Sequence, residues 1–204
     1  MSVTAAHDEG FVELLARSGC SGVLIGFESL NPGNLDAMRK RFNYGAGDYE
    51  RALANLRWRG IGVFGTFVFG YGDDGPESFS ATMEFARREG LYLGAFNHLV
   101  PFPGTPLYER LAEDRRLPNP EWWLDPGYRF NDVAFEPAET SAGELRERCL
   151  AARHEFYSIA SIRERYRVLR RWLGVRARAM FWLLNLMHRG EVSKRNGFPL
   201  GGEV

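Results

Sequence analysis

The sequence predicts an α/β fold with a parallel sheet, followed by a mostly helical C-terminal extension. Two observations carry this. Short apolar runs without polar alternation, "GVLIGFE" at 22–28, "GVFGTFVFGY" at 62–71 and "LGAFNHLVP" at 93–101, alternate with segments of helical period. Strands of that kind, spaced by helices, belong to parallel sheets covered on both faces and joined by right-handed crossovers. After about residue 116 the alternation stops, and a stretch rich in proline and tryptophan leads into two helical segments.

In chain order, "DEGFVELLARSGC" spaces Phe11, Leu14 and Leu15 as a helix that stops at Gly19. "NPGNLDAMRKRF" is a turn and a helix. "DYERALANLRWRGI" is a stronger helix, with Asp48 as N-cap and Gly60 as C-cap. "DDGPESFSATMEFARREGL" is a loop and helix with Pro76 in the first turn, where its missing N–H costs nothing. "GTPLYERLAEDRRL" is the helix after the third strand. The segment 117–141, with Trp122 and Trp123, reads as an ordered extended wrap, because disordered chain seldom uses so many aromatics. The helical segment 141–173 opens on Ser141 with Glu144 three residues on, a capping box.

Composition bounds the function. The 204 residues are 45% hydrophobic and 25% charged, enough for one core with an extension. No signal-peptide pattern opens the chain, and no run reaches the about 18 apolar residues of a bilayer span. Cys20 and Cys149 alone make no disulfide framework, so a reducing, cytoplasmic setting is expected. No nucleic-acid partner is expected. The zero net charge hides an asymmetry: residues 163–195 hold ten Lys/Arg against Glu164 and Glu191, which is +8, leaving −8 elsewhere. That tail is either a solvated helix face or a surface for a polyanion or membrane. In its last helix Met180, Leu183, Leu184 and Met187 follow an i, i+3, i+4, i+7 stripe beside Phe181 and Trp182. The stripe is expected to dock on the protein body, with peripheral contact to anionic lipid as the alternative.

Three stretches in order, "GVLIGFESL", "GTFVFGYGDDGPESF" and "LVPFPGTPLY", resemble the later part of a radical S-adenosylmethionine (SAM) enzyme. The resemblance implies that residues 1–112 are the C-terminal half of a partial (β/α) barrel, about three βα units, and that 113–204 form the extension. "WWLDPGYRF" further resembles radical SAM proteins with an upstream cobalamin-binding domain. The cofactors implied are SAM, a [4Fe–4S] cluster and, through a separate upstream domain, cobalamin.

By this resemblance Glu28 ends a strand where ribose hydroxyls donate to it, a charge-assisted contact; the other reading is an acid that caps or bonds a loop. Ser29 is the adjacent candidate. Lys40 is placed to meet the SAM carboxylate, with Arg39 and Arg41 competing. Gly65 and Gly70 allow close approach of a ligand or a neighbouring strand, Val100 offers an apolar wall to the adenine, and Glu77 matches a loop-fixing acid. Pro103, Gly104, Thr105 and Pro106 form a rigid turn. His98 is the candidate acid–base group, against a structural histidine. No metal ligands are assigned: neither cysteine belongs to the C-x-x-x-C-x-x-C loop of the family. The resemblance therefore implies that the first three βα units and the cluster loop lie outside this chain. It also implies that the chain alone is inactive, and that its partner is the N-terminal barrel half or a longer polypeptide. A half-barrel is expected to leave two open edges and one uncovered core face, which favours aggregation or pairing with the missing half. The substrate, an unknown small or lipid-like molecule, is not legible. Two other functions stand beside this one: a non-catalytic half-barrel that binds a partner, and another parallel α/β enzyme.

Overall fold

The computed structural model describes residues 1–40, 49–72, 74–194 and 196–198. Helices α1 (Val3–His7) and α2 (Glu9–Arg17) are capped by the side chains of Ser2 and Asp8. They are followed by β1 (Gly22–Glu28), α3 (Pro32–Ala37), α4 (Tyr49–Trp58), β2 (Gly62–Phe69), α5 (Pro76–Arg88), β3 (Leu93–His98) and α6 (Pro106–Glu113). The wrap carries one 3-10 turn, Trp122–Leu124, and leads into α7 (Ala142–Phe156), α8 (Ile159–Leu169) and α9 (Val175–Glu191). The strands form a parallel sheet in the order β1-β2-β3. The α/β class and the strand–helix alternation are as the sequence predicts. Pro76 stands at the start of α5, and Gly60 ends α4 region with φ +72°. The predicted N-cap Asp48 lies outside the described residues.

One face of the sheet is packed under helices. Phe27, Phe67 and Phe96 stack across the three strands, with centroids 5.3 and 5.5 Å apart and rings within 10° of parallel. In the next row Gly65 and Gly94 hold the backbone close to its cover. A Cβ on Gly65 would meet Leu91 at 2.7 Å, and one on Gly94 would meet Phe156 at 3.0 Å.

The other face is not buried as the unalternating apolar runs suggest; it is partly uncovered, as expected of a half-barrel. Leu24 is 51% exposed, and Phe64, Thr66, Val68, Leu93 and Ala95 are only partly covered. Burial therefore alternates along β2 and β3 although hydrophobicity does not. The apolar residues of the open face meet α9 across two cavities, of about 830 Å³ at the amino ends of the strands and about 310 Å³ beside Phe64 and Ala95.

The extension corrects two further expectations. Segment 141–173 is two helices, not one. Ser158 adopts an extended conformation, and its hydroxyl accepts from Ser161 N, restarting the chain as α8. The break frees the carbonyl of Phe156, which accepts from Arg165. In α9 the buried residues are Phe181 and Asn185. The predicted stripe is not buried as a unit: Met180, Leu183 and Met187 are 47%, 53% and 57% exposed, Leu184 is half-buried, and Met180 and Leu184 line the cavity beside the open face of the sheet. The reason is polar. Asn185 donates to Tyr92 O (3.1 Å) and accepts from Arg165 (2.9 Å), and Phe181 meets Tyr92 edge-on, which fixes the rotation of the helix.

The expected pair of open sheet edges is also corrected. Three successive outward carbonyls of the β3 segment are taken by side chains: Tyr92 O by Asn185 and Arg165, Gly94 O by Tyr157 (2.9 Å), Phe96 O by Arg153 (2.9 Å). Among the described residues, β1 pairs only with β2, and the Met1 amine donates to Leu24 O (2.6 Å).

Arg165 organises this closure. It is fully buried, stacks on the Phe156 ring at 3.7 Å, and donates to Leu91 O, Phe156 O and Asn185 Oδ1. Burial pushes its pKa down to about 9, still above neutral pH, so it remains charged there. Arg165→Met leaves three buried acceptors without donors. At about 1–3 kcal/mol for each stranded group, the variant is expected to lose about 3 kcal/mol or more in urea unfolding; a loss under about 1 kcal/mol would refute this role.

Candidate functional site

The carboxyl ends of the three strands, where parallel sheets bind ligands, carry the candidate residues. β1 ends on Glu28 at φ +66°, just after a register irregularity between Gly26 and Glu28. A left-handed glutamate is strained by about 1 kcal/mol or more. The turn folds its carboxylate back over Gly26, where a Cβ would sit 2.6 Å from Oε1. Gly26 thus makes room for the carboxylate beside Thr66, on the open face of the sheet.

Glu28 Oε1 accepts from Lys40 Nζ at 2.5 Å. The sequence placed Lys40 on the helix after β1; it lies beyond it instead. α3 ends at Ala37, Arg39 turns left-handed at φ 56°, and Lys40 N donates back to Leu35 O. That closure turns Lys40 towards Glu28. Arg39 is exposed, and Arg41 lies outside the described residues. Ser29 is buried, and its hydroxyl accepts from Asn31 N (3.0 Å) in the turn into α3.

After β2, Gly70 has φ +98°, and a Cβ there would meet Leu145 at 2.7 Å. Its N–H and that of Tyr71 donate to Asp74 Oδ2, and Asn34 donates to Asp74 Oδ1 at 2.8 Å. Burial pushes the Asp74 carboxyl up, and the hydrogen bonds from Ser78, Tyr71, Gly70 and Asn34 pull it back. Sequence reasoning missed the Asn34–Asp74 tie between the two strand-end loops. Its only signal was an aspartate in the Gly/Asp/Pro turn after β2. Gly65 lies mid-strand on the packed face, under Leu91 and Phe27. Glu77 sits exposed in the first turn of α5.

After β3, His98 is buried with Nδ1 3.0 Å from Leu99 O, and desolvation lowers its pKa, so it is neutral at pH 7. Gly104 is left-handed at φ +75°, and the Thr105 hydroxyl caps α6 by accepting from Tyr108 N, completing the expected rigid turn with Pro103 and Pro106. The wrap returns to this end, where Trp122 Nε1 donates to Pro101 O. Together they enclose a cavity of about 660 Å³ lined by Val68, His98, Val100, Phe102, Trp122 and Tyr128, with Arg153 on its wall. The structure thus gathers two clusters at one end of the sheet: Glu28, Ser29 and Lys40 beyond the end of β1, and His98 and Val100 at the end of β3.

The residues present do not fit an iron–sulfur cluster. Cys20 lies before the amino end of β1, and Cys149 is buried in α7 with its thiol pushed up to about 12 by desolvation. Among the described residues no three His, Cys, Asp or Glu side chains come together to hold a metal. Glu28 and Lys40, an acceptor and a cation, are paired with each other at the end of β1.

No family model matches the chain. It is similar to known methyltransferases. With the bacteriochlorophyllide d C-12(1)-methyltransferase of Chlorobaculum tepidum it shares 36% identity over 153 residues, 75% of this chain and 32% of the relative. With the bacteriochlorophyllide d C-8(2)-methyltransferase of the same organism it shares 26% over 122 residues, 60% of this chain and 27% of the relative. With the hopanoid C-2 methylase of Rhodopseudomonas palustris it shares 29% over 106 residues, 52% of this chain and 20% of the relative. The chain therefore spans about a third or less of the length of the curated relatives it matches, and all three carry out methyl transfer by name.

Proposed function

We propose that this chain is the C-terminal part of a radical SAM methyltransferase and supplies loops that bind SAM and face the substrate. The observation that carries the reading is the match to a methyltransferase over 153 residues; beside it, the chain bears a paired carboxylate and ammonium at a strand end. In this reading SAM, when bound, supplies the radical and methyl chemistry. Glu28 accepts from the ribose hydroxyls, Lys40 meets the SAM carboxylate, and Ser29 holds the turn that aims Glu28. Val100 and the aromatic wall around it exclude water and seat the substrate. The cluster ligands, and any cobalamin site, belong to a further barrel half and upstream domain, and that half adds at β1. The aromatic cavity suits a large apolar substrate.

Contact with an anionic membrane is the second part of the proposal. It is supported by the exposed stripe Met180, Leu183 and Met187, with Arg176 exposed on the same side of α9. Trp58 and Trp172, both exposed, lie 6.4 Å apart near the start of that helix. Tryptophan beside arginine favours a headgroup boundary. No helix among the described residues is long and apolar enough to cross a membrane, so the contact is peripheral.

Two measurements test these readings. With the chain joined to a cluster-binding barrel half, Glu28→Ala is expected to weaken SAM binding by about 1.5–3 kcal/mol, the loss of a charged hydrogen bond. An unchanged affinity in a folded variant would leave Glu28 as a loop acid paired with Lys40. In vesicle sedimentation, the chain is expected to pellet with phosphatidylglycerol but not phosphatidylcholine vesicles, and to be released by about 0.5 M salt through screening. No pelleting at low salt would remove the lipid contact.

A further inference from the structure

We infer that Arg153 is an anion-binding residue of the β3-end cavity, and that this cavity takes a carboxylate carried on a large apolar body. The inference names a substrate class for the proposed methyl-transfer site. It rests on that reading only for the ligand being a substrate; the binding itself follows from the geometry.

Arg153 stands on α7 and is half-buried. Its Nε donates to Phe96 O at 2.9 Å, and Nη2 donates to Asn97 Oδ1 at 2.9 Å and Asn131 Oδ1 at 3.3 Å. A guanidinium has five N–H donors. The two on Nη1 have no protein acceptor among the described residues, and Arg153 forms no ion pair there. Carboxylates of the neighbouring segments are engaged with other groups. Asp132 meets Arg146 and accepts from Arg129 N, and Glu155 meets Arg87. The direct acceptors of Arg153 are neutral, a carbonyl and two amides, and Glu191 on the wall of the adjoining cavity of about 310 Å³ is paired with Lys194.

Its position gives the unused donors a purpose. Arg153 lines both the cavity of about 660 Å³ and an adjoining one of about 310 Å³. The larger is walled by Val100, Phe102, Trp122, Tyr128 and Phe130, and Phe102 and Phe130 are exposed. A cation that has lost part of its water in an apolar surround, with donors still unused, gains from a matching anion. A guanidinium offers a carboxylate planar, charge-assisted hydrogen bonds. Flat aromatic walls beside one fixed cation select an amphipathic acid: rings or a long chain against Trp122 and Tyr128, and a carboxylate at Nη1.

The test uses 1-pyrenebutyrate and 1-pyrenebutanol, which share a polycyclic body and differ in the anion, with binding followed by energy transfer from tryptophan to pyrene. The unmodified chain is expected to bind the acid at least about tenfold more tightly than the alcohol, as one charged hydrogen-bonded contact gives. Equal affinities would overturn the inference. Arg153→Met is expected to abolish the preference, and its persistence in a folded variant would also overturn it. If Arg153→Met fails to fold for want of a donor to Phe96 O, Arg153→Lys decides. It keeps the charge but not the fixed fork, so the preference is expected to fall severalfold, and an unchanged preference would overturn the assignment. Failure of the proposed methyl transfer with the acid preference intact would sink the proposed function and leave this site standing.

Discussion

The closure of the β3 edge by side chains is the constraint on which the rest of the structure depends. Along a parallel edge strand every second residue turns its carbonyl outward, and a buried carbonyl without a donor is costly. In this chain those carbonyls belong to Tyr92, Gly94 and Phe96, and each is met by a side chain of α7, α8 or α9. Tyr157 serves Gly94 twice: its hydroxyl donates to Gly94 O and accepts from Gly94 N. Four side chains, Arg153, Tyr157, Arg165 and Asn185, thus fix the rotation and height of three helices against one strand. The helix break at Ser158 belongs to the same arrangement, because it frees Phe156 O for Arg165. Gly94 belongs to it as well, since a side chain there would strike Phe156.

This closure makes the sheet asymmetric. On the β3 side, helices occupy the position a fourth strand would take. On the β1 side, among the described residues, no strand pairs with β1. The open face is apolar along Leu24, Phe64, Leu93 and Ala95, yet only partly covered. An apolar face beside an unpaired edge is what a growing sheet presents. The proposed barrel half therefore has one edge at which to add, and it is the edge that carries Glu28.

Much of the fold was legible because it is periodic or local. Strand–helix alternation, Pro76 at the start of α5, Gly60 after α4 and Ser141 capping α7 each rest on a few adjacent residues. Glu28 stood out for the same reason, as a carboxylate at the end of an apolar strand. What the sequence concealed joins distant residues through side chain and backbone. Arg165 counted as one more charge in a basic tail, but it is buried and bonded to Leu91 O, 74 positions away. Asn185 interrupts an apolar stripe, and its amide overrules that stripe in choosing the buried face of α9. The apolar pattern of the strands was read as double burial because hydrophobicity reports what a residue tolerates, not what covers it. Lys40 was singled out only through the resemblance, as a partner for the SAM carboxylate, and its pairing with Glu28 was not foreseen. The left-handed Arg39 that turns it inward has no signal in composition.

The basic tail consequently divides by function. Arg165 spends its charge inside the molecule, and Arg178 donates to Leu173 O, whereas Arg163, Arg167, Arg170, Arg171 and Arg176 are exposed. Arg153, just before the tail, sits between these cases. Its Nε closes the strand edge at Phe96 O, while Nη1 has no acceptor among the described residues and the residue lines the cavity. A long flexible cation ordinarily loses much side-chain freedom when it binds an anion. Here the loss is already met in folding, because the backbone of β3 and the amides of Asn97 and Asn131 hold the guanidinium plane. Edge closure and ligand recognition thereby share one side chain, and the demands of the sheet pre-set the orientation in which an anion meets it.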